Sequence, residues 1–408
     1  MRSEWNLYKI GELCDTISDT YNRSDDMVIL INTSDVLAGK IINHNLVSNK
    51  NLKGQFKKTF RKNDILYSEI RPINKRFAFI DFEDTEKYIA STKLMVLRSH
   101  KDIILPYFLF TLLQLQDMIN KLQHLAETRS GTFPQITFLG ELAPIEVKIP
   151  DLNTQSKIVS ILMSIDTKIS LNNAINKNLE EQAQAIFKSW FVDFEPFGGV
   201  MPDDWRTVKI ADLEMLITDY VANGSFASLK ENVTLYQEPN YAYFIRNTDL
   251  KSGSFGVFVD ESSYKFLSKS TLYGNEIIIS NVGDVGSVFL CPRLDKPMTL
   301  GNNIIMLRPK SEYLIYYLYI WFKWGQGQCY IQGIKGGSAQ PKFNKTDFKN
   351  LPLLFPSFNV LSRFDEVMKS LFETISNNYS ENQRLASIRD TLLPKLMNGE
   401  IDISAVKV

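Results

Sequence analysis

The chain carries one pattern twice, and this duplication constrains its fold more than any other feature. Trp5, Lys9, Ile10, Leu13, Ile17 and Asp19 recur without a gap as Trp205, Lys209, Ile210, Leu213, Ile217 and Asp219, an offset of 200 residues. Ile31, Ser34, Asp35 and Gly39 return as Ile245, Thr248, Asp249 and Gly253. Asn63-Asp64-Ile65-Leu66-x-Ser68 returns as Asn275-Glu276-Ile277-Ile278-x-Ser280, and Leu97-Arg98 as Leu307-Arg308. Tyr107 and Leu109 are matched by Tyr316 and Leu318, and Pro150 by Pro356. The order is kept while the offset drifts between 200 and 214, as expected of one fold present twice with different loops. Each copy opens with short strand-like runs such as Leu94–Leu97 and Glu276–Ser280, punctuated by Gly, Asn and Asp. Such a grammar reads as a mixed α/β (α+β) globular domain. A proline, Pro150 or Pro356, then precedes a long helical stretch.

Both helical stretches repeat every seven residues. In the first, Ile158, Ile165, Asn172, Leu179 and Ile186 form one row, and Leu162, Ile169, Asn176, Ala183 and Trp190 the other. In the second, the rows are Phe364, Leu371, Asn378, Leu385, Leu392 and Met368, Ile375, Asn382, Arg389, Leu396, all at an offset of 206. A heptad seam is a coiled-coil pattern, so the two helices are expected to pair. Asn172, Asn176, Asn378 and Asn382 sit at the middle of each seam. They are expected to fix register there, because a slipped register leaves a buried amide unpaired at a cost of about 1–3 kcal/mol. Matched midpoints suit either direction. Connectivity favours antiparallel pairing, since the intervening domain closes more easily with its ends near each other. The expectation is a pseudo-twofold molecule, with two heads set apart by two long antiparallel coiled-coil helices. The seam from Ile158 to Trp190 would measure roughly 48 Å at 1.5 Å per residue. The corresponding boundaries are a first head over 1–145, a helical region over 146–200, a second head over 201–350 and a second helical region over 351–408.

A spacer that holds two similar heads is a ruler, and two-headed readers of B-DNA engage sites about a helical turn or more apart. Overall charge is neutral, with 46 basic and 46 acidic residues, so a DNA-binding charge has to be local. Lys50 to Lys62 holds six basic and no acidic residues, including Lys53, Lys57, Lys58, Arg61 and Lys62. Arg71, Lys75 and Arg76 follow. In the second half, Tyr313 to Thr346 has no acidic residue and includes Lys335, Gln340, Lys342 and Lys345 among clustered glycines and glutamines. Its counterpart in the first half contains Arg129. Lysine and arginine would neutralise phosphates, arginine can pair with guanine, and glutamine with adenine. A solvated charged face or a flexible glycine loop explains the same composition. Arg246 is a weaker candidate, since the neighbouring Asp249 could simply pair with it.

No catalytic pattern is present. The tetrapeptide of amino-methyltransferases (Asn or Asp, Pro, Pro, aromatic) does not occur, nor does a Walker A GxxxxGK[ST] motif. His44, His100 and His124 lack metal-ligand spacing, and Cys14, Cys291 and Cys329 lie far apart, which fits a reducing cytoplasm and neither a zinc ribbon nor a disulfide scaffold. No metal site or catalytic residue is expected. The longest apolar run, Tyr313 to Phe322, is too short for a bilayer span of about 20 residues and reads as a buried helix or strand.

The ends of the two helical stretches, Ala185-IFKSWFVDFEPF-Gly198 and Ile388-RDTLLPKLMNGEIDI-Ser404, resemble those of specificity subunits of Type I restriction-modification systems. The openings Trp5-NLYKIGEL and Trp205-RTVKIADL resemble the starts of that family's target recognition domains. The resemblance covers nearly the whole chain. The Glu-Gln usual at the helix starts is replaced by Thr154-Gln155 and Val360-Leu361. The resemblance implies a non-catalytic subunit that reads a bipartite double-stranded DNA site across an unread spacer. It further implies two modification subunits that use S-adenosylmethionine to methylate adenine, and restriction subunits that use ATP and Mg2+. The aromatic cluster Phe187, Trp190, Phe191 and Phe194 is a candidate for docking such a partner, unless it packs on the chain's own heads. A protein-interaction scaffold without DNA specificity is the alternative function.

Overall fold

A computed structural model describes residues 5–51, 54–128, 134–337 and 340–403. Two compact units emerge, Met1–Ser170 with Asn382–Val408, and Leu171–Glu381. Each consists of one head and parts of both long helices.

In the first unit, a four-stranded antiparallel sheet runs in the order Cys14–Ile17, Leu94–Ser99, Ile65–Ser68, Phe77–Phe79. A second sheet runs Leu46–Ser48, Met27–Ile31, Tyr88–Ser91, Phe56–Lys58, with the middle pair parallel. The first strand, Asn6–Lys9, pairs antiparallel with Glu146–Ile149. The strand over 146–149 therefore closes the head immediately before the long helix begins.

The second unit repeats this plan, with five strands instead of four in the sheet that holds the parallel pair. Met215–Asp219, Ile304–Pro309, Ile277–Ser280 and Val288–Leu290 form the four-stranded sheet. Ala242–Ile245 and Met298–Leu300 make the parallel pair of the other sheet, and Arg206–Lys209 pairs with Pro352–Phe355 to close the head. The central strands are buried on both faces, which is why Ile277-Ile-Ile and Leu94-Met-Val-Leu97 read as continuous apolar runs rather than as alternation. The apolar run expected to be a buried helix or strand is the helix Leu314–Lys323, packed in the core of the second unit. Among the described residues no helix is long and apolar enough to cross a membrane.

The long helices span Leu152–Phe191 and Phe358–Met397. Asp151 caps the first: its carboxylate accepts from the backbone N–H groups of Asn153 and Thr154 at 2.9 and 3.0 Å, and these bonds lower its pKa. Gln155 is fully buried, accepts from Leu105 N–H and donates to the carbonyls of Ile103 and Pro150. At the equivalent start of the second helix, Leu361 is buried in the apolar core, so the missing glutamine is replaced by packing.

The helices pair antiparallel within each unit. In the first unit, Ile158 and Leu162 pack with Leu396 and Met397, and Arg389 donates to Asp166 at 2.9 Å. Arg389, placed in the seam by its heptad position, is thus there as an ion-pair partner. In the second unit, Ala183 and Phe187 share a core with Phe364 and Met368. The asparagines mark the seam as expected: Asn378 Nδ2 donates to Asn176 Oδ1 at 2.8 Å, and Asn172 donates to Glu381 at 2.7 Å. Asn382 is half-buried. One position departs from the strict heptad. Leu371 is only half-buried, while Phe372 takes the buried place and stacks on Tyr316 at 4.9 Å, because the head packs on that flank of the helix.

Asn176 is 3% exposed, so its loss strands the Asn378 amide. Asn176→Ala is expected to lower unfolding free energy by about 1–3 kcal/mol in urea titrations. A loss near zero would show that water reaches the seam.

Candidate nucleic-acid interface

In both heads a buried acid underlies the sheet that carries the candidate loops. Asp64 is 1% exposed and takes Arg98 in a bidentate pair, Nε at 2.8 Å and Nη2 at 2.7 Å. Glu276 takes Arg308 in the same place, from Nε at 3.1 Å and Nη2 at 2.8 Å. The residue before each acid, Asn63 or Asn275, has a left-handed backbone with φ 71° or 69°, a conformation asparagine tolerates. Each strand then ends in a buried serine. Ser68 Oγ accepts from Ile70 N–H at 3.0 Å and donates to the Ile70 carbonyl, and Ser280 Oγ donates to the Val282 carbonyl.

The loops leaving these serines are crossed by a second segment through matching backbone bonds. Ile136 N–H donates to Glu69 and Arg71 N–H to Pro134 in the first head. Phe343 N–H donates to Asn281 and Gly283 N–H to Pro341 in the second. Two loops from distant parts of each head therefore form one exposed edge. That frame is shared, but the exposed side chains on it differ.

Of the basic residues singled out in the first head, Lys57 and Arg61 are exposed, and so are Arg71 and Lys75 on the crossing loop. Lys58 is half-buried and donates to the carbonyls of Thr92 and Leu94 at 3.2 and 2.8 Å, and burial lowers its pKa. Arg76 donates to the carbonyls of Ser34 and Val36. Lys62 pairs with Glu83 at the surface. Lys53 and Arg129 lie outside the described residues.

In the second head, Lys335, Gln340 and Lys342 are exposed on the crossing segment, Lys335 donating to Gln332 at 3.0 Å. Lys345 pairs with Asp219 at 2.9 Å. Arg246 makes a bidentate pair with Asp249, which also accepts from its backbone N–H, so it caps the helix Asn247–Ser252. Gln328 and Gln332 are likewise engaged, donating to the carbonyls of Gly286 and Val285. Gly337 has φ 90°, and a Cβ there would come 2.6 Å from the Gln340 carbonyl oxygen. The structure thus holds Lys58, Arg76, Arg246 and Lys345 in its own scaffold and leaves Lys57, Arg61, Lys62, Arg71, Lys75, Lys335 and Lys342 on the surface. Ser68 and Ser280 were the positions that charge-based reasoning passed over, although both stand in the repeat.

Of the two readings of the aromatic cluster, the side chains follow packing on the chain's own head. Phe187 and Phe191 are each 5% exposed, inside the core of the second unit. Phe191 packs edge-on to Phe364 at 4.8 Å and Tyr317 at 4.9 Å, and lies 5.6 Å from Trp205. Trp190 and Phe194 are half-buried against the same core. The cluster joins the helix to its own head, because a helix stripe of large aromatics buries most area where a head already offers partners.

Cys14 and Cys291 are buried thiols whose pKa is pushed up by burial, Cys14 to about 12. Among the described residues no group of three or more His, Cys, Asp or Glu side chains could hold a metal ion.

A family model for the Type I restriction modification DNA specificity domain matches residues 2–181 and 202–389. Over 469 aligned residues the chain is 32% identical to the specificity subunit of the Type I restriction enzyme HindI of Haemophilus influenzae, covering 98% of this chain and 100% of that protein. It is 26% identical over 321 residues to the MjaIX specificity subunit of Methanocaldococcus jannaschii, covering 74% of this chain and 71% of that one. The solved S subunit of a Type I system from M. genitalium superposes with a TM-score of 0.55 at 16% identity, over 97% of this chain and 96% of that chain. At that identity the likeness concerns the fold. The two family matches coincide with the two copies of the repeat, and on that correspondence the chain belongs to the family of Type I restriction-modification DNA specificity subunits.

Proposed function

We propose that each head reads one half of a split duplex site through the edge where its two loops cross, and that the two half-sites differ. The observation that carries this is the shared frame with unshared side chains. The backbone bonds at Glu69/Ile136 and Asn281/Phe343 are equivalent, whereas Arg71 and Lys75 have no counterparts among the exposed residues Gly283 and Asp284. Lys57, Arg61, Arg71 and Lys75 in one head, and Lys335, Gln340 and Lys342 in the other, are the proposed contacts. Phosphate contacts supply affinity and position, and base-edge contacts supply sequence. Heads over 1–145 and 201–350 with helical regions 146–200 and 351–408 remain the proposed division, with the strands over 146–149 and 352–355 each pairing with the first strand of a head.

The partners proposed are two modification subunits, which would bring S-adenosylmethionine and adenine methylation, and restriction subunits, which would bring ATP and Mg2+. A cytoplasmic location goes with that role. The chain itself would contribute recognition only.

The direct test expresses the chain with its modification subunit in a methylation-free host and sequences the DNA for methyladenine. A split motif with a fixed unread spacer is expected. A stable complex without methylation would instead favour a scaffold role. Salt dependence provides a second test. Lys57→Ala and Lys342→Ala are each expected to reduce the slope of log K against log salt by about one. Lys58→Ala is expected to lower thermal stability, since its ammonium group serves two backbone carbonyls. Wild-type slopes in Lys57→Ala and Lys342→Ala would remove both residues from the interface.

A further inference from the structure

We propose that Ile73 is a base-reading residue of the first head and contacts the C5-methyl group of a thymine in the major groove. This rests on the reading that the crossing loops bind duplex DNA. Ile73 stands in the turn Arg71-Pro-Ile-Asn-Lys75, whose two ends are both left-handed, φ 45° at Arg71 and 53° at Lys75. Such backbone is uncommon for residues other than glycine and persists where surroundings over-determine it.

The surroundings do so here. Arg71 N–H donates to the Pro134 carbonyl at 3.1 Å, and Ala38 N–H donates to the Lys75 carbonyl at 2.9 Å. Ile73 N–H donates to Gln123 Oε1 at 3.1 Å, and Gln123 is itself tied to Glu127. Pro72 is buried beneath the turn. The rigid turn holds out a β-branched apolar side chain, 46% exposed, between two exposed cations. A turn made only to reverse the chain favours Gly, Asn or Asp at such positions.

The flanking cations suit phosphates, and the groove edge offers one apolar group among polar donors and acceptors, the thymine methyl. The equivalent loop of the second head has Gly283 and Asp284, and Asp284 is held by Lys251 at 2.6 Å. The methyl contact therefore belongs to one half-site.

The experiment uses the full chain assembled with its modification subunit. Selection from randomised duplexes first defines the split motif, and each thymine in it is then replaced by deoxyuridine, which removes the methyl and keeps the base pair. Wild type is expected to bind about fourfold more weakly at one thymine of one half-site, the effect of about one buried methyl group. Ile73→Ala is expected to bind the thymine and deoxyuridine duplexes equally, with an unchanged melting temperature. Indifference of wild type to deoxyuridine at every thymine overturns the proposal, as does an undiminished deoxyuridine effect in Ile73→Ala. A wild-type complex that selects no motif overturns the parent reading as well.

Discussion

Arg98→Ala is expected to lower the stability of the first unit by about 3–5 kcal/mol, the usual cost of removing one partner from a buried pair. Asp64 is 1% exposed, so without the guanidinium its carboxylate stays buried and loses both charge-assisted bonds. Arg61 N–H still donates to it at 2.8 Å, but one neutral donor does not replace two charged ones. Lys62→Ala is the control. Its pair with Glu83 is exposed on both sides, and such pairs contribute at most about 1 kcal/mol. Urea unfolding of both variants checks the contrast. A small loss in Arg98→Ala would mean that water reaches Asp64 and the pair is not a structural centre. A double substitution, Asp64→Leu with Arg98→Met, is expected to recover most of the loss, because no buried charge then remains. The strand anchored by this pair ends at Ser68 and delivers the crossing loop. Arg98→Ala should therefore also blunt recognition by the first head.

Phe364→Ala is expected to cost about 3–5 kcal/mol in the second unit, through lost burial and the cavity it leaves. The ring is fully buried and meets Phe187 at 6.0 Å, Trp190 at 5.8 Å and Phe191 at 4.8 Å. Edge-on and tilted geometries of this kind add to the area term. The prediction separates a core from a docking surface. If the cluster is core, Phe364→Ala and Phe191→Ala lower the melting temperature of the chain by itself. If it were chiefly a docking surface, they would weaken partner binding and leave that temperature in place. Trp190 is half-buried, and Arg363 sits over its ring at 5.9 Å. Trp190→Ala is accordingly expected to cost less than Phe364→Ala.

The duplication, the helix seam and its antiparallel direction were legible in the amino-acid order. The first two depend on repetition and local periodicity, and the direction on the connectivity of the intervening domain. Apolar residues every seven positions commit a helix to a partner wherever they occur, and two copies of a pattern fold alike because the same local preferences act on both. Even the central asparagines could be placed, since a buried amide penalises any register that leaves it unmatched. What the order could not disclose was the fate of individual charges. Lys57 and Lys58 are neighbours in a strand, yet alternation sends one to solvent and the other onto the carbonyls of Thr92 and Leu94, 34 and 36 residues away. Asp64, just before the strand Ile65–Ser68, and Arg98, also 34 residues away, meet because that strand pairs with Leu94–Ser99 in the sheet. For Phe187 and Phe191 the order leaves docking and packing equally open, and the head supplies Tyr317 and Trp205 to cover them. Only the tertiary structure decides such matters, because burial and long-range pairing set whether a cation is a scaffold bond or a contact for DNA, and neither is a property of neighbouring residues.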